Sequence, residues 1–147
     1  MATIHLPPDF KEFLKCLRDR EVRFLPIGGY AVNAFGYSRN TADIDIWIET
    51  SEQNQARTID AVRDFGFVSV DSTILDPDDA MLRMGVPPLR IKVLKRISGV
   101  SFEDCWLRRV TTSDGDLEIP MISRADLIAN KLAAGRKGDL VDVEELS

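Results

Sequence analysis

Two short stretches of this chain carry residue types suited to phosphate chemistry. The first, Leu25-Pro26-Ile27-Gly28-Gly29-Tyr30, is an apolar strand closed by a glycine pair; the second, after a short spacer, is Asp43-Ile44-Asp45-Ile46-Trp47-Ile48. Side chains alternate faces along a strand, so Asp43 and Asp45 point the same way with Cα atoms roughly 6.6 Å apart, while Ile44, Ile46 and Ile48 point into a core. Two carboxylates side by side repel, and a positive partner is expected between them. Hard oxygen ligands favour Mg²⁺, or Mn²⁺, that keeps part of its coordination for substrate phosphate. Taken singly, a Gly-Gly pair reads as a turn and an Asp-x-Asp pair as a solvated strand face. Together they say more, because Asp is depleted in strands and these two lie opposite a fully apolar Ile face.

The surrounding pattern supplies elements to position these residues. A helix is expected over residues 9–19, with Phe10, Phe13, Leu14 and Leu17 at i, i+3, i+4, i+7 spacing, and a buried strand over residues 22–27. Gly28-Gly29 leads into a short helix to about Phe35, whose first N–H groups can approach phosphate oxygens. Gly36-Tyr37-Ser38-Arg39 then turns the chain into the Asp43/Asp45 strand. Ser51 caps a helix over residues 52–65 that buries Ala56, Ile59 and Val62 and stops at Gly66. Residues 67–70 read as a short strand and residues 71–79 as a loop.

Two further strands, residues 81–84 and 89–94, are joined at Gly85-Val86-Pro87-Pro88. On the second, Arg90, Lys92 and Leu94 share one face, which lets Lys92 reach the two carboxylates. Ser101 opens a helix carrying Phe102, Cys105 and Trp106, with Trp106 expected in the core. A hairpin turns at Asp114-Gly115, a helix runs from Ser123 through Ala134 to a stop at Gly135, and a last helix covers residues 139–146. The expected fold is α+β, one domain over residues 1–147. Its mixed, largely antiparallel sheet carries the glycine pair and the carboxylates at one edge, with helices on one face.

Composition removes several alternatives. With 147 residues, 44% hydrophobic and 29% charged, the chain is large enough for one core and has the balance of a soluble globular protein. A net charge of −5 argues against a broad basic face for duplex nucleic acid. A local positive groove stays open, built from Arg90, Lys92, Lys95, Arg96, Arg108 and Arg109 or from Arg18, Arg20 and Arg23. Cys16 and Cys105 have no metal-ligand spacing and read as thiols in a reducing compartment. His5, the only histidine, sits beside an N-terminus expected to fray. A histidine-dependent triad and a multi-histidine metal site are thereby excluded. No apolar run reaches membrane-span length and the first residues lack a signal-peptide pattern, so a cytoplasmic protein is expected.

The string from Gly28-Gly29 through Arg39 to Asp43-Ile44-Asp45 resembles the nucleotidyltransferase superfamily of the DNA polymerase β type. The similarity is closest to small bacterial members related to abortive-infection and toxin–antitoxin nucleotidyltransferases. A second match is Asn130-Lys131-Leu132-Ala133-Ala134-Gly135-Arg136-Lys137-Gly138-Asp139-Leu140-Val141-Asp142, which looks like the Lys and Arg-Asp helix pair of those toxins. The resemblance implies that Asp43 and Asp45 are catalytic and hold Mg²⁺ or Mn²⁺. It also implies that Gly28 and Gly29 cradle the phosphates of a nucleoside triphosphate, and that Arg39 and Lys131 offset their charge. Transfer of a nucleoside monophosphate to a hydroxyl of RNA, protein or a small molecule is the activity so implied.

One position departs from the pattern. The family's third carboxylate is expected where this chain has Lys92, and a protonated lysine neither binds Mg²⁺ nor accepts a proton. Loss of a general base costs about 10²–10⁴ in rate. The alternative implied reading is an inactive member that binds or regulates, with a protein partner in a toxin–antitoxin or defence module.

Overall fold

The computed structural model describes residues 2–37, 41–86 and 89–147. In chain order its elements are β1 (Ala2–Thr3), α1 (Pro8–Asp19), β2 (Phe24–Ile27), α2 (Gly28–Ala34), β3 (Asp43–Ile48), α3 (Glu52–Asp64) and β4 (Met81–Val86). They continue with β5 (Leu89–Leu94), α4 (Phe102–Leu107), β6 (Val110–Asp114), β7 (Leu117–Met121), α5 (Arg124–Ala134) and α6 (Lys137–Leu146).

The apolar run of β2 is buried at every position, and the alternation of β3 puts Ile44, Ile46 and Ile48 in the core. These strands belong to a four-stranded sheet of order β2-β3-β5-β4. β2 and β4 run antiparallel to their neighbours, and β3 and β5 are parallel, so the sheet is mixed. The helices flank it, and the whole is the expected α+β fold. β3 is an inner strand of this sheet rather than its edge, which gives Asp45 a strand partner on both sides, Ile27 and Lys92.

Local signals place the helix ends. Ser51, Ser101 and Ser123 each accept a hydrogen bond from the backbone N–H three residues on, at the starts of α3, α4 and α5. Gly135, at φ 65°, ends α5 in the left-handed conformation that favours glycine. α6 begins earlier than expected, at Lys137, because the Asp139 side chain reaches back to the Arg136 N–H and caps the first turn.

Other expectations are corrected by long-range contacts. The N-terminus is paired rather than frayed: β1 lies parallel to β6 in a second sheet of order β1-β6-β7, and Ile4 is buried. Residues 67–70 form turns, since the Phe67 N–H bonds to Val62 O at the end of α3 and the Val70 N–H bonds to Phe67 O. Ala56 is exposed, because α3 turns Asn54, Thr58, Ile59, Ala61 and Val62 inward instead. Asn54 can be buried because its amide donates to Arg23 O and Glu49 O while its Oδ1 accepts from the Arg23 N–H. Trp106 is only half-buried. It stacks on Phe102 at 5.7 Å, and the Arg109 guanidinium lies 4.0 Å from its ring centre. Trp47 is the tryptophan of the core.

No helix among the described residues is long and apolar enough to cross a membrane.

Candidate functional site

The end of β2 turns directly into α2, and β3 lies beside it with Asp45 paired in register to Ile27. This close approach requires glycine. Gly28 has φ 70°, and a Cβ there would sit 2.6 Å from Asp45 Oδ2; a Cβ on Gly29 would sit 2.8 Å from Thr41 Oγ1. α2 starts without a side-chain cap.

On the other side of β3, the parallel register sets Asp43 against Arg90 and Asp45 against Lys92. Lys92 Nζ lies 3.2 Å from Asp43 Oδ2. Arg90 also donates to Asp43, through Nε and Nη2 at 3.4 Å each. Burial alone would raise the Asp43 carboxyl, but Lys92 and Arg90 outweigh it and hold the group below the usual carboxylate range. Asp45 goes the other way. Burial pushes its carboxyl up, Lys92 offsets part of the effect and Asp43 adds to it, and its Oδ1 is buried with no hydrogen-bond donor among the described residues.

A cleft of about 430 Å³ joins these groups, lined by Gly28, Gly29, Thr41, Asp43, Asp45, Lys92, Lys131 and Arg136 among others. A neighbouring hollow of about 390 Å³ shares Gly28, Asp45, Lys92, Lys131 and Arg136 and adds the more apolar wall of Ile27, Met81, Leu94 and Ile97. A larger cavity of about 740 Å³ lies beside Trp47, Lys95 and Phe102, away from the paired carboxylates.

Lys131 lines the cleft but is only 4% exposed. Its ammonium lies 2.7 Å from Asp142 Oδ2 and 3.3 Å from Asp139 Oδ1, both on α6. Arg136 adds a second cation to Asp139, donating from Nε at 2.6 Å. The structure thus brings together Gly28, Gly29, Asp43, Asp45 and Lys131. Arg39 lies outside the described residues.

Sequence reasoning placed Arg90 in a candidate positive groove and on the face of Lys92 without pairing it to Asp43, and gave Thr41 no part. Arg90 was findable, since it shares a strand face with Lys92 at i, i+2; Thr41 carries no such signal. Among the described residues, no group of three or more His, Cys, Asp or Glu side chains gathers into a metal site.

The raised carboxyl of Asp45 has a measurable consequence. A group whose folded pKa lies above its unfolded value, about 3.9 for Asp, contributes stability that is fully present below that value and is lost as pH rises through the folded pKa. Ionised Asp45 therefore weakens the fold at neutral pH. Asp45→Asn is expected to raise the melting midpoint at pH 7 by about 2–4 °C, the shift that roughly 1 kcal/mol gives in a chain of this size. Melts from pH 4 to 8 check it: the gain over the native chain should shrink toward pH 4, and a variant less stable than native at pH 7 would contradict it.

The mixed sheet with its flanking helices is that of a nucleotidyltransferase-fold protein, as the likeness to solved structures shows. In structure the chain is similar to the lincosamide antibiotic adenylyltransferase LnuA, lincomycin-bound, with TM-score 0.57 and 16% identity over 98% of each chain. It is also similar to a candidate nucleotidyltransferase from Thermotoga maritima, with TM-score 0.64 and 12% identity over 97% of this chain and 94% of that one. No family model and no curated protein matches the sequence. At these identities the likeness carries the fold.

Proposed function

We propose that this chain binds a nucleoside triphosphate in the Gly28–Asp45 cleft and that binding, rather than nucleotidyl transfer, is its function. The observation that carries this reading is the Lys92–Asp43 ion pair, 3.2 Å long, inside a cleft that also holds Gly28, Gly29 and Arg136. The amides opening α2 and the Arg136 guanidinium, 80% exposed, suit phosphate oxygens. The apolar wall of Ile27, Leu94 and Ile97 suits the nucleoside. Such a protein works in the cytoplasm, where triphosphates are available, and a binding role accommodates a protein partner in a toxin–antitoxin or defence module.

A second reading, nucleotidyl transfer, is favoured by the Oδ1 of Asp45, which has no hydrogen-bond donor among the described residues. Asp43 and Asp45 are the residues that would hold Mg²⁺ or Mn²⁺ there, with RNA, protein or a small molecule as acceptor. The small-molecule acceptor is suggested by LnuA, named for its action on lincosamides.

The test is incubation with each α-labelled nucleoside triphosphate and Mg²⁺ or Mn²⁺, in the presence of cell RNA, cell protein or a lincosamide. Retention of label on the native protein without its transfer is the expected result. Covalent label on any acceptor would assign the second reading, and no retention would remove both.

A further inference from the structure

The residues of the Gly28–Asp45 cleft do not fit a divalent-metal centre. A Mg²⁺ ion needs several oxygen donors in near-octahedral order; of the three carboxylates lining this cleft, Asp139 is held by Lys131 and Arg136, which leaves Asp43 and Asp45. Asp43 already faces two cations, Lys92 at 3.2 Å and Arg90 at 3.4 Å. Their placement is not accidental side-chain wandering: both sit on β5, which lies parallel to β3 in a register that puts Arg90 opposite Asp43 and Lys92 opposite Asp45. Arg90 and Lys92 are two residues apart on one strand and therefore share a face, as do Asp43 and Asp45. The strand pair thus presents two carboxylates beside two cations whose backbone positions the register fixes. A divalent ion entering here would meet the ammonium of Lys92 at close range.

We infer that Lys92 and Arg90 supply the positive charge beside Asp43 and Asp45, and that the cleft takes a nucleoside triphosphate as the metal-free anion. This inference rests on the cleft being the nucleotide site. A triphosphate entering the cleft draws Lys92 partly away from Asp43 onto a phosphate oxygen, while Arg90 keeps the carboxylate paired. Mg²⁺ in solution competes with Lys92 for the same phosphate oxygens, so it weakens binding instead of supporting it.

Two measurements on the whole chain test this. The first is calorimetric titration of the native protein with a nucleoside triphosphate, in chelator and in millimolar Mg²⁺. Tighter binding in chelator is expected, with Lys92→Met weaker by about tenfold or more through loss of one charge-assisted hydrogen bond and Lys92→Arg restoring most of the affinity. Binding that requires Mg²⁺ overturns the metal-free ligand and keeps the site; no binding in either buffer overturns the site reading and this inference together.

The second measurement needs no nucleotide. Thermal melts of the native chain and of Lys92→Asp are run with and without Mg²⁺. The native midpoint should not move, whereas Lys92→Asp should melt lower without metal and gain several degrees with it, because an ion bound only by the folded state stabilises by mass action. An equal Mg²⁺ response in the two forms overturns the role given to Lys92. If Lys92→Asp fails to fold, Lys92→Asn, which removes the cation without adding a third negative charge, replaces it; a native midpoint that rises with Mg²⁺ overturns the inference whatever the variants do.

Discussion

Lys131→Met is expected to lower stability by about 3–5 kcal/mol, the cost of removing one partner from a buried ion pair, and the melting midpoint by roughly 10 °C. The reason lies in what the ammonium leaves behind. Asp139 and Asp142 are each 5% exposed, and both face Lys131 across the α5–α6 junction. Methionine keeps the length of the stem and its apolar packing, so the loss reports the charge rather than a cavity.

The pH dependence follows from Asp139. Burial alone would raise its carboxyl, but Arg136 and Lys131 outweigh burial and hold it below the usual range. A depressed folded pKa means stability that is present above the unfolded value of about 3.9 and lost as pH falls through the folded pKa. The native chain therefore loses stability in acid, the variant has less of this contribution to lose, and the gap between their midpoints should hold from pH 7 to about 4 and narrow as pH falls further. A variant that melts with the native chain at pH 7 would show that the ammonium is dispensable and return Lys131 to the phosphate role that the family resemblance implied.

Lys95→Met is the second large effect, expected at about 3 kcal/mol, in the range for hydrogen bonds made by a charged group. Lys95 is 6% exposed, and its ammonium donates to three backbone carbonyls, Leu75 O at 2.7 Å, Pro77 O at 2.9 Å and Asp76 O at 3.4 Å. The segment between α3 and β4 contains neither helix nor strand. Its first residues are tied to α3 by the Phe67 N–H bond to Val62 O and the Arg63 bond to Val70 O, and the rest is held by this ammonium and by the burial of Leu75. With the ammonium gone, its carbonyls must find water, and the segment loosens before the sheet does. Limited proteolysis should then cut within residues 71–80 faster than in the native chain, alongside a midpoint lowered by several degrees. Unchanged cleavage with a lowered midpoint would place the loss in the sheet instead.

How much of this was legible beforehand divides along one physical line. The sequence by itself determined the α+β class, the bounds of β3, the same-face placement of Asp43 and Asp45, the serine caps of α3, α4 and α5, and the stop at Gly135. Each of these is carried by dihedral preference, side-chain alternation or capping within a few residues, so neighbours in the chain suffice to set it. Lys92 was legible as well, since the phase of β5 turned it toward the carboxylates.

What only the tertiary structure decided depends on partners distant in the chain. The registers of β3 with β5 and of β1 with β6 set Arg90 on Asp43 and tied down the N-terminus. The packing of α6 on α5 took Lys131 out of solvent and gave it Asp139 and Asp142. Asn54 became a buried residue of α3 because the backbone of residue 23 came within reach of its amide. A polar side chain reads as solvated in sequence until its partner is in place, because burial of a charge or an amide becomes affordable only when a complementary group from elsewhere meets it.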